Sequence, residues 1–243
     1  MRIAWVLHGD LAQRTGGTIY DAEVVRGLRA AGDDVHVVSL PQAGLARRLR
    51  ALAPDVVVGD ELCFRELVVL FPRLRSARTK RVLLVHHLTA WESEIPPLRR
   101  RVYGVIESLA VRVSDRIVTT SETTRRRLVA EGARTPISVV LPGADRLARG
   151  ERGERGERGT RFVFLGSIVS RKRVLELLRA FASGAAARGH LLLVGSTTRD
   201  AAYVREVHDL VARLGLTERV TLAGEVDEPG VAEALASADV LVM

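Results

Sequence analysis

The sequence predicts an α/β protein of two doubly wound halves, and three observations predict it. Short apolar runs alternate with stretches of helical period along the whole chain. The runs are apolar throughout, as strands covered on both faces of a parallel sheet must be. One low-complexity stretch, RGERGERGERG at 149–159, interrupts the alternation, and the pattern restarts after it. That stretch has nothing to bury and is expected to be a flexible linker. The expected organisation is therefore a first domain over 1–146, a linker over 147–160 and a second domain over 161–243.

The elements follow in order. RIAWVL (Arg2–Leu7) is a buried strand, and a loop from His8 runs to the Gly16-Gly17 pair. Val24, Val25, Leu28 and Ala31 have helical spacing, so a helix is expected from Tyr20 to Ala31, stopped by Gly32. Val35–Leu40 is a strand, Leu45–Leu52 an Arg-rich helix, and Asp55–Gly59 a strand entered through Pro54. Glu61–Leu74 is expected as helix and Arg81–Val85 as a strand running into His86-His87. Pro96-Pro97 opens a helix through Val113, because proline suits the first helical turn. Arg116–Thr119 is a strand. Ser121 caps a helix that reaches Glu131 before Gly132, and Ile137–Leu141 is a strand.

After the repeat, strands are expected at Arg161–Leu165, His190–Val194, Arg219–Ala223 and Asp239–Met243. Helices are expected at Val174–Ala187, Ala201–Leu214 and Val231–Ser237. A chain that stops inside a buried strand is expected to be truncated at its C-terminal end.

Composition narrows the function classes. With 243 residues, 47% of them hydrophobic, the chain can bury a substantial core. No apolar run approaches the length of a membrane span. MRIAWVLHGD lacks the layout of a signal peptide, and the single Cys63 permits no internal disulfide, so a cytoplasmic protein is expected. The net charge of +8 sits mainly in the first half, where residues 1–145 carry 22 Lys and Arg against 16 Asp and Glu. Such a surface suits a phosphorylated ligand or an anionic membrane. Arg47, Arg48, Arg50 and Arg99 to Arg101 are the candidates for a peripheral contact at the inner membrane face. Nucleic acid is disfavoured: aromatics are 4% and do not interleave with the basic residues.

Candidate chemistry lies at strand ends. Gly166 closes a strand, and Arg171, Lys172 and Arg173 follow at the start of a helix, an arrangement suited to a phosphate. Gly16 and Gly17 precede the first helix and let backbone amides approach an anion. His86 follows a strand at the carboxyl edge of its sheet, where open α/β sheets bind ligands; it can donate a hydrogen bond or move a proton. His87, its neighbour, is expected to point elsewhere, and His8 ranks below both. The G-x-G-x-x-G fingerprint, a Walker A loop, a G-x-S-x-G elbow and metal-ligand spacing are all missing, so no metal or nicotinamide cofactor is expected. A glycine pair in one half and a cation cluster in the other suggest a diphosphate held in a cleft between them.

An ordered set of segments resembles glycosyltransferase family 4. TGGTIYDAEVVRGLRAAGDDVHVVSL resembles that family's opening, and SDRIVTTSETTRRRL its aspartate–strand–serine–helix segment. ISVVLPGAD resembles its turn before the second domain, and FLGSIVSRKRVLELLRAF its glycine–lysine segment. LLLVGS and RVTLAGEVDEPGVAEALASADVLVM resemble the strands that follow. The resemblance implies a GT-B fold of two Rossmann-like domains, the acceptor side first. It implies transfer of a sugar from a UDP- or GDP-linked donor, retaining anomeric configuration and without a metal, to a sugar, lipid or polysaccharide acceptor. It places Gly16, Gly17, Gly166, Ser167, Arg171, Lys172, Gly224 and Val226 around the donor. His86 stands near the reacting centre, and Lys172 neutralises the diphosphate. Ser167 stands where the family has arginine, with Arg171 the candidate to replace its charge. The family's acidic donor motif would follow the strand begun at Asp239. The alternatives are a catalytically incomplete fragment with partial nucleotide-sugar binding, or another GT-B protein such as a nucleotide-sugar epimerase.

Overall fold

A computed structural model describes residues 1–74, 78–92, 94–143, 159–183 and 189–242. It divides into two compact units, Met1–Pro142 and Gly143–Met243. Most of the Glu/Arg/Gly repeat expected as a linker lies outside the described residues, as does Asp145.

Unit 1 begins β1 (Arg2–His8), α1 (Gly16–Ala30), β2 (Asp34–Leu40), α2 (Leu45–Leu52) and β3 (Val56–Asp60). It continues α3 (Phe64–Arg73), β4 (Lys80–Val85), α4 (Pro97–Val113), β5 (Arg116–Thr119), α5 (Glu122–Ala130) and β6 (Ile137–Val139). All pairs are parallel, in the order β2-β1-β3-β4-β5-β6. Successive strand residues face opposite sides, and two cores result. Ala4, Val6, Val57, Leu83, Val85 and Ile117 pack with Leu49 of α2, Leu67 and Phe71 of α3, Ala110 of α4 and Leu128 of α5. Ile3, Trp5, Leu7, Val58 and Leu84 pack on the other side with Tyr20 and Val25 of α1.

The helix expected from Tyr20 starts four residues earlier, at Gly16. Thr15 caps it: the Thr15 hydroxyl accepts from the Thr18 N–H at 3.0 Å, and the Thr15 N–H donates to the Thr18 hydroxyl at 3.1 Å. The reciprocal cap offsets the weak helix propensity of two glycines. A 3₁₀ turn at Glu61–Cys63 replaces the first turn of the helix expected from Glu61.

Unit 2 comprises β7 (Arg161–Leu165), α6 (Val174–Ser183), β8 (His190–Val194), α7 (Ala201–Arg213), β9 (Val220–Gly224), α8 (Glu228–Ser237) and β10 (Val240–Val242). Its parallel sheet runs β10-β7-β8-β9. Phe164, Leu191 and Leu193 pack on α6 and α7, while Val163 and Val194 pack on α8 through Ala234.

In both sheets the first strand has neighbours reached by connections running in opposite directions. β1 lies between β2 and β3, and β7 lies between β8 and β10. A crevice opens outside the carboxyl ends of the strands at such a switch point.

Candidate functional site

At the switch point of unit 1 a cluster of buried ionisable groups converges on His86. The side chain of His86 is 15% exposed, and its Nε2 lies 3.2 Å from Asp21 Oδ1 and 3.6 Å from Asp60 Oδ2. Glu61 Oε2 accepts the His86 backbone N–H at 2.7 Å. Asp21, Asp60 and Glu61 are themselves buried. Three elements deliver them: Asp21 comes from the buried side of α1, Asp60 ends β3, and Glu61 opens the 3₁₀ turn that follows. Parallel pairing of β3 with β4, Asp60 opposite Leu84, brings the acids beside His86.

Each acid has a fixed partner. The Trp5 indole N–H donates to Asp21 Oδ2 at 3.2 Å, and the Leu62 N–H donates to Asp60 Oδ1 at 2.7 Å. Tyr20 stands edge-on to the His86 ring at 5.2 Å, and its hydroxyl donates to the Val140 carbonyl at 3.0 Å. A methyl group placed at Gly17 would stand 3.4 Å from His86 Cδ2, so the start of α1 and the imidazole border the same space.

Burial sets the electrostatics. Loss of solvent and then the charge of Asp21 push the Asp60 carboxyl up to about 6. Loss of solvent and then Asp60 push the Glu61 carboxyl up to about 8. Burial draws His86 down, but the Asp21 hydrogen bond and the charges of Glu61, Asp21 and Asp60 outweigh it and raise its pKa. His86 is thus held toward the imidazolium form inside an acidic surround. Asp21, Asp60 and His86 could bring three ligand atoms, all within 4.8 Å of one another, to a cation. The same two carboxylates already engage His86, Trp5 and Leu62.

His87 is exposed and packs edge-on against Trp91 at 5.7 Å, so the two histidines do separate, although both lie beyond the end of β4. His8 ends β1 with Nε2 3.6 Å from Glu66 Oε1. Glu66 also lines a cavity of about 690 Å³ between the β2–α2 loop, α2 and α3. Its wall is apolar at Leu40, Leu45, Val69 and Leu70, with Arg47, Arg65 and Arg73 contributing positive charge.

In unit 2 the strands end on glycines. Gly166 follows β7, Gly195 follows β8 and Gly224 closes β9. The Gly166 N–H donates to the Val194 carbonyl, and the Gly195 N–H to the Gly224 carbonyl, each at 2.8 Å. Gly195 has φ +149°, and a methyl there would stand 2.0 Å from the Gly166 carbonyl oxygen, so only glycine fits. The sequence reading named Gly166 and Gly224 but missed Gly195, although it ends the apolar run HLLLV as they end theirs. Lys172 is exposed and its chain lies over Gly166: a methyl at Gly166 would be 3.7 Å from Lys172 Cε.

Arg171 and Lys172 belong to a 3₁₀ turn, Ser170–Lys172, and Arg173 adopts a left-handed conformation at φ 54° before α6 opens at Val174. The cations therefore precede the helix and lie outside its first turn. Ser167 follows Gly166 and is half-buried. Val226 packs beside the cluster of Val163, Val194 and Ala234.

Comparison with known proteins agrees with this architecture. The profile of the "Glycosyl transferase 4-like domain" matches residues 42–143, and that of "Glycosyl transferases group 1" matches residues 159–243. No curated protein matches the chain in sequence. Among solved structures, a sucrose-phosphate synthase from Thermosynechococcus elongatus is 17% identical with a TM-score of 0.76, over 99% of this chain and 74% of that one. HepE from Anabaena, solved with UDP, is 17% identical with a TM-score of 0.70, over 99% of this chain and 73% of that one. A glycosyltransferase from Rickettsia africae is 14% identical with a TM-score of 0.70, over 99% and 72% of the two chains.

Proposed function

The chain belongs to the GT-B glycosyltransferases of the group 1 and 4-like type, and on that premise we propose that it transfers a sugar from a nucleoside diphosphate donor with retention of anomeric configuration. The observation that carries the donor assignment is the carboxyl edge of unit 2. There Gly166, Gly195 and Gly224 remove side-chain bulk from three strand ends, and Lys172 reaches back over Gly166. A diphosphate can approach backbone in such a place while a full positive charge stands beside it. HepE from Anabaena has been solved with UDP and with UDP-glucose, which supports a nucleotide sugar here.

The roles follow from charge. The leaving group is a nucleoside diphosphate, and its bond to the sugar breaks more easily where the developing negative charge is met. In this reading Lys172, rather than a metal ion, meets it, with Arg171 adding positive charge nearby. His86 serves the sugar. Its Nε2 is turned to Asp21, so Nδ1 is the ring nitrogen with which it would meet a donor hydroxyl. Gly16 and Gly17, the first two residues of α1, carry amides that no intrahelical carbonyl can reach. The acceptor belongs with unit 1, where the cavity beside Glu66 suits a molecule with an apolar part and an acidic group.

Isothermal titration of the chain with UDP, GDP and uridine tests the donor assignment. One of the two diphosphates binds, uridine binds far more weakly, and Lys172→Ala weakens the diphosphate by about tenfold or more while leaving uridine unchanged. Equal loss for UDP and uridine would remove Lys172 from the phosphate site.

A further inference from the structure

Helix α4 carries apolar residues on two sides, toward the core and away from it. Glu107, Ala110 and Val111 are buried, and Tyr103, Ile106 and Val113 pack against the core of unit 1. The opposite side should be polar in a helix that faces only water. Here it carries Leu98, Val102, Val105 and Leu109, exposed by 74%, 51%, 61% and 39%. Their spacing of i, i+4, i+7 and i+11 at 100° per residue sets them in one narrow stripe, about 17 Å long, along the outward side.

The exposed charges of the helix have one sign, and Arg101 and Arg112 flank the stripe. Arg99, Arg100, Arg101 and Arg112 are all exposed on the same helix. Its single acid, Glu107, is buried and accepts the N–H groups of Thr89 and Ala90 at 2.8 and 3.2 Å. The exposed surface of α4 therefore combines an apolar stripe with four cations and no anion. Nucleic acid would meet the cations but leave the stripe against phosphates. A second copy paired through this face would bring arginines against arginines. An anionic lipid surface satisfies both features, because hydrocarbon lies directly beneath the phosphates.

We propose that α4 is an interfacial helix that seats unit 1 on an anionic membrane. Leu98, Val102, Val105 and Leu109 enter the boundary between headgroups and acyl chains, and Arg101 and Arg112 beside them meet lipid phosphates. On α2, by contrast, Arg47 lines the cavity and Arg50 donates to the Arg73 carbonyl. Binding through α4 needs neither donor nor acceptor, so it stands or falls apart from the transfer reaction.

Co-sedimentation with large vesicles tests this. The whole chain binds vesicles of phosphatidylcholine and phosphatidylglycerol at three to one, and does not bind pure phosphatidylcholine. Each arginine near an anionic surface is worth about fivefold in partitioning, so Arg101→Gln with Arg112→Gln weakens binding by about 25-fold. Leu98→Ser with Val105→Ser leaves the charge unchanged and weakens binding by about tenfold or more, because only a membrane rewards the stripe. Both pairs are exposed, and an unchanged circular dichroism spectrum certifies the fold of each variant. Full binding by the serine variant would reduce the interaction to general attraction of a basic protein and overturn the proposal. Failure of the wild type to bind the charged vesicles would also overturn it, as would a dimer in sedimentation velocity that the serine variant abolishes.

Discussion

Glu61→Gln should flatten the loss of stability of unit 1 as pH rises. Glu61 is buried, and loss of solvent followed by the charge of Asp60 pushes its carboxyl up to about 8 in the folded protein. Unfolded, it titrates at about 4.3. A folded pKa above the unfolded one means that the folded state holds the extra proton. The resulting stability is fully present below pH ~4, and it is lost as pH rises through about 8. The slope in this window approaches 1.36 kcal/mol per pH unit. Between pH 6 and pH 8 the group forfeits about 2 kcal/mol, allowing for partial titration near its folded pKa. Glutamine keeps an acceptor oxygen for the His86 N–H but has no proton to lose. The difference in stability between variant and wild type should therefore shift by about 2 kcal/mol in favour of the variant over those two units. Urea denaturation at pH 6, 7 and 8, followed by tryptophan fluorescence, measures it. Both tryptophans, Trp5 and Trp91, lie in unit 1, and Trp5 bonds to Asp21 within the cluster. Parallel pH profiles for the two proteins would refute the reasoning and mean that Glu61 is ionised in the fold throughout.

Two further expectations concern turnover and packing. His86→Ala should reduce sugar transfer by about tenfold or more relative to His87→Ala, because His86 sits in the buried cluster and His87 is exposed against Trp91; initial rates with a donor that the chain binds decide it, and the reverse order would move the role to His87. Gly195→Ala should destabilise unit 2 by about 3 kcal/mol, since the added methyl would stand 2.0 Å from the Gly166 carbonyl at a backbone angle that disfavours alanine. Its melt by circular dichroism should show an early transition with tryptophan fluorescence unmoved, and a wild-type melt would mean that the strand ends can separate without cost.

The order of elements was legible because each local signal agreed with the tertiary outcome. Leu45–Leu52, Arg116–Thr119, Arg161–Leu165 and His190–Val194 run from end to end where their patterns place them. Apolar runs bounded by glycine, proline or charge have few other ways to be buried. The start of α1 was misread for a physical reason. Glycine is a poor helix former, and the cap that compensates for it is a pair of threonines rather than the more familiar threonine and glutamate.

The site was legible only where its residues carry a local signature. Lys172 stands in a segment whose resemblance is readable, His86 follows an apolar strand at the carboxyl edge of its sheet, and Gly166 and Gly224 end apolar runs. Asp21, Asp60 and Glu61 went unread because a buried acid and a solvated acid look alike in sequence. Asp60-Glu61 did offer a clue, as two acids directly behind the apolar run DVVVG at a strand's carboxyl end. What gathers them with His86 is the sheet order, which sets β1 beside β3 and β3 beside β4. That order is a property of the fold and of no single segment.

The two units differ in the charge they present at their strand ends. Taking several acids out of water is costly, and the cost is tolerable in unit 1 only because His86, Trp5 and backbone N–H groups answer them. Such a surround holds an imidazole rigidly, with one nitrogen already committed. It therefore suits neutral hydroxyl groups, which need orientation more than charge. The carboxyl edge of unit 2 has the complementary character: three glycines at strand ends, an exposed lysine over one of them, and basic residues on either side of it. Exposed cations cost little to maintain and gain most when a diphosphate excludes water from them. Under the proposed function, substitutions at Lys172 and His86 should fail differently, the first in diphosphate affinity and the second in transfer.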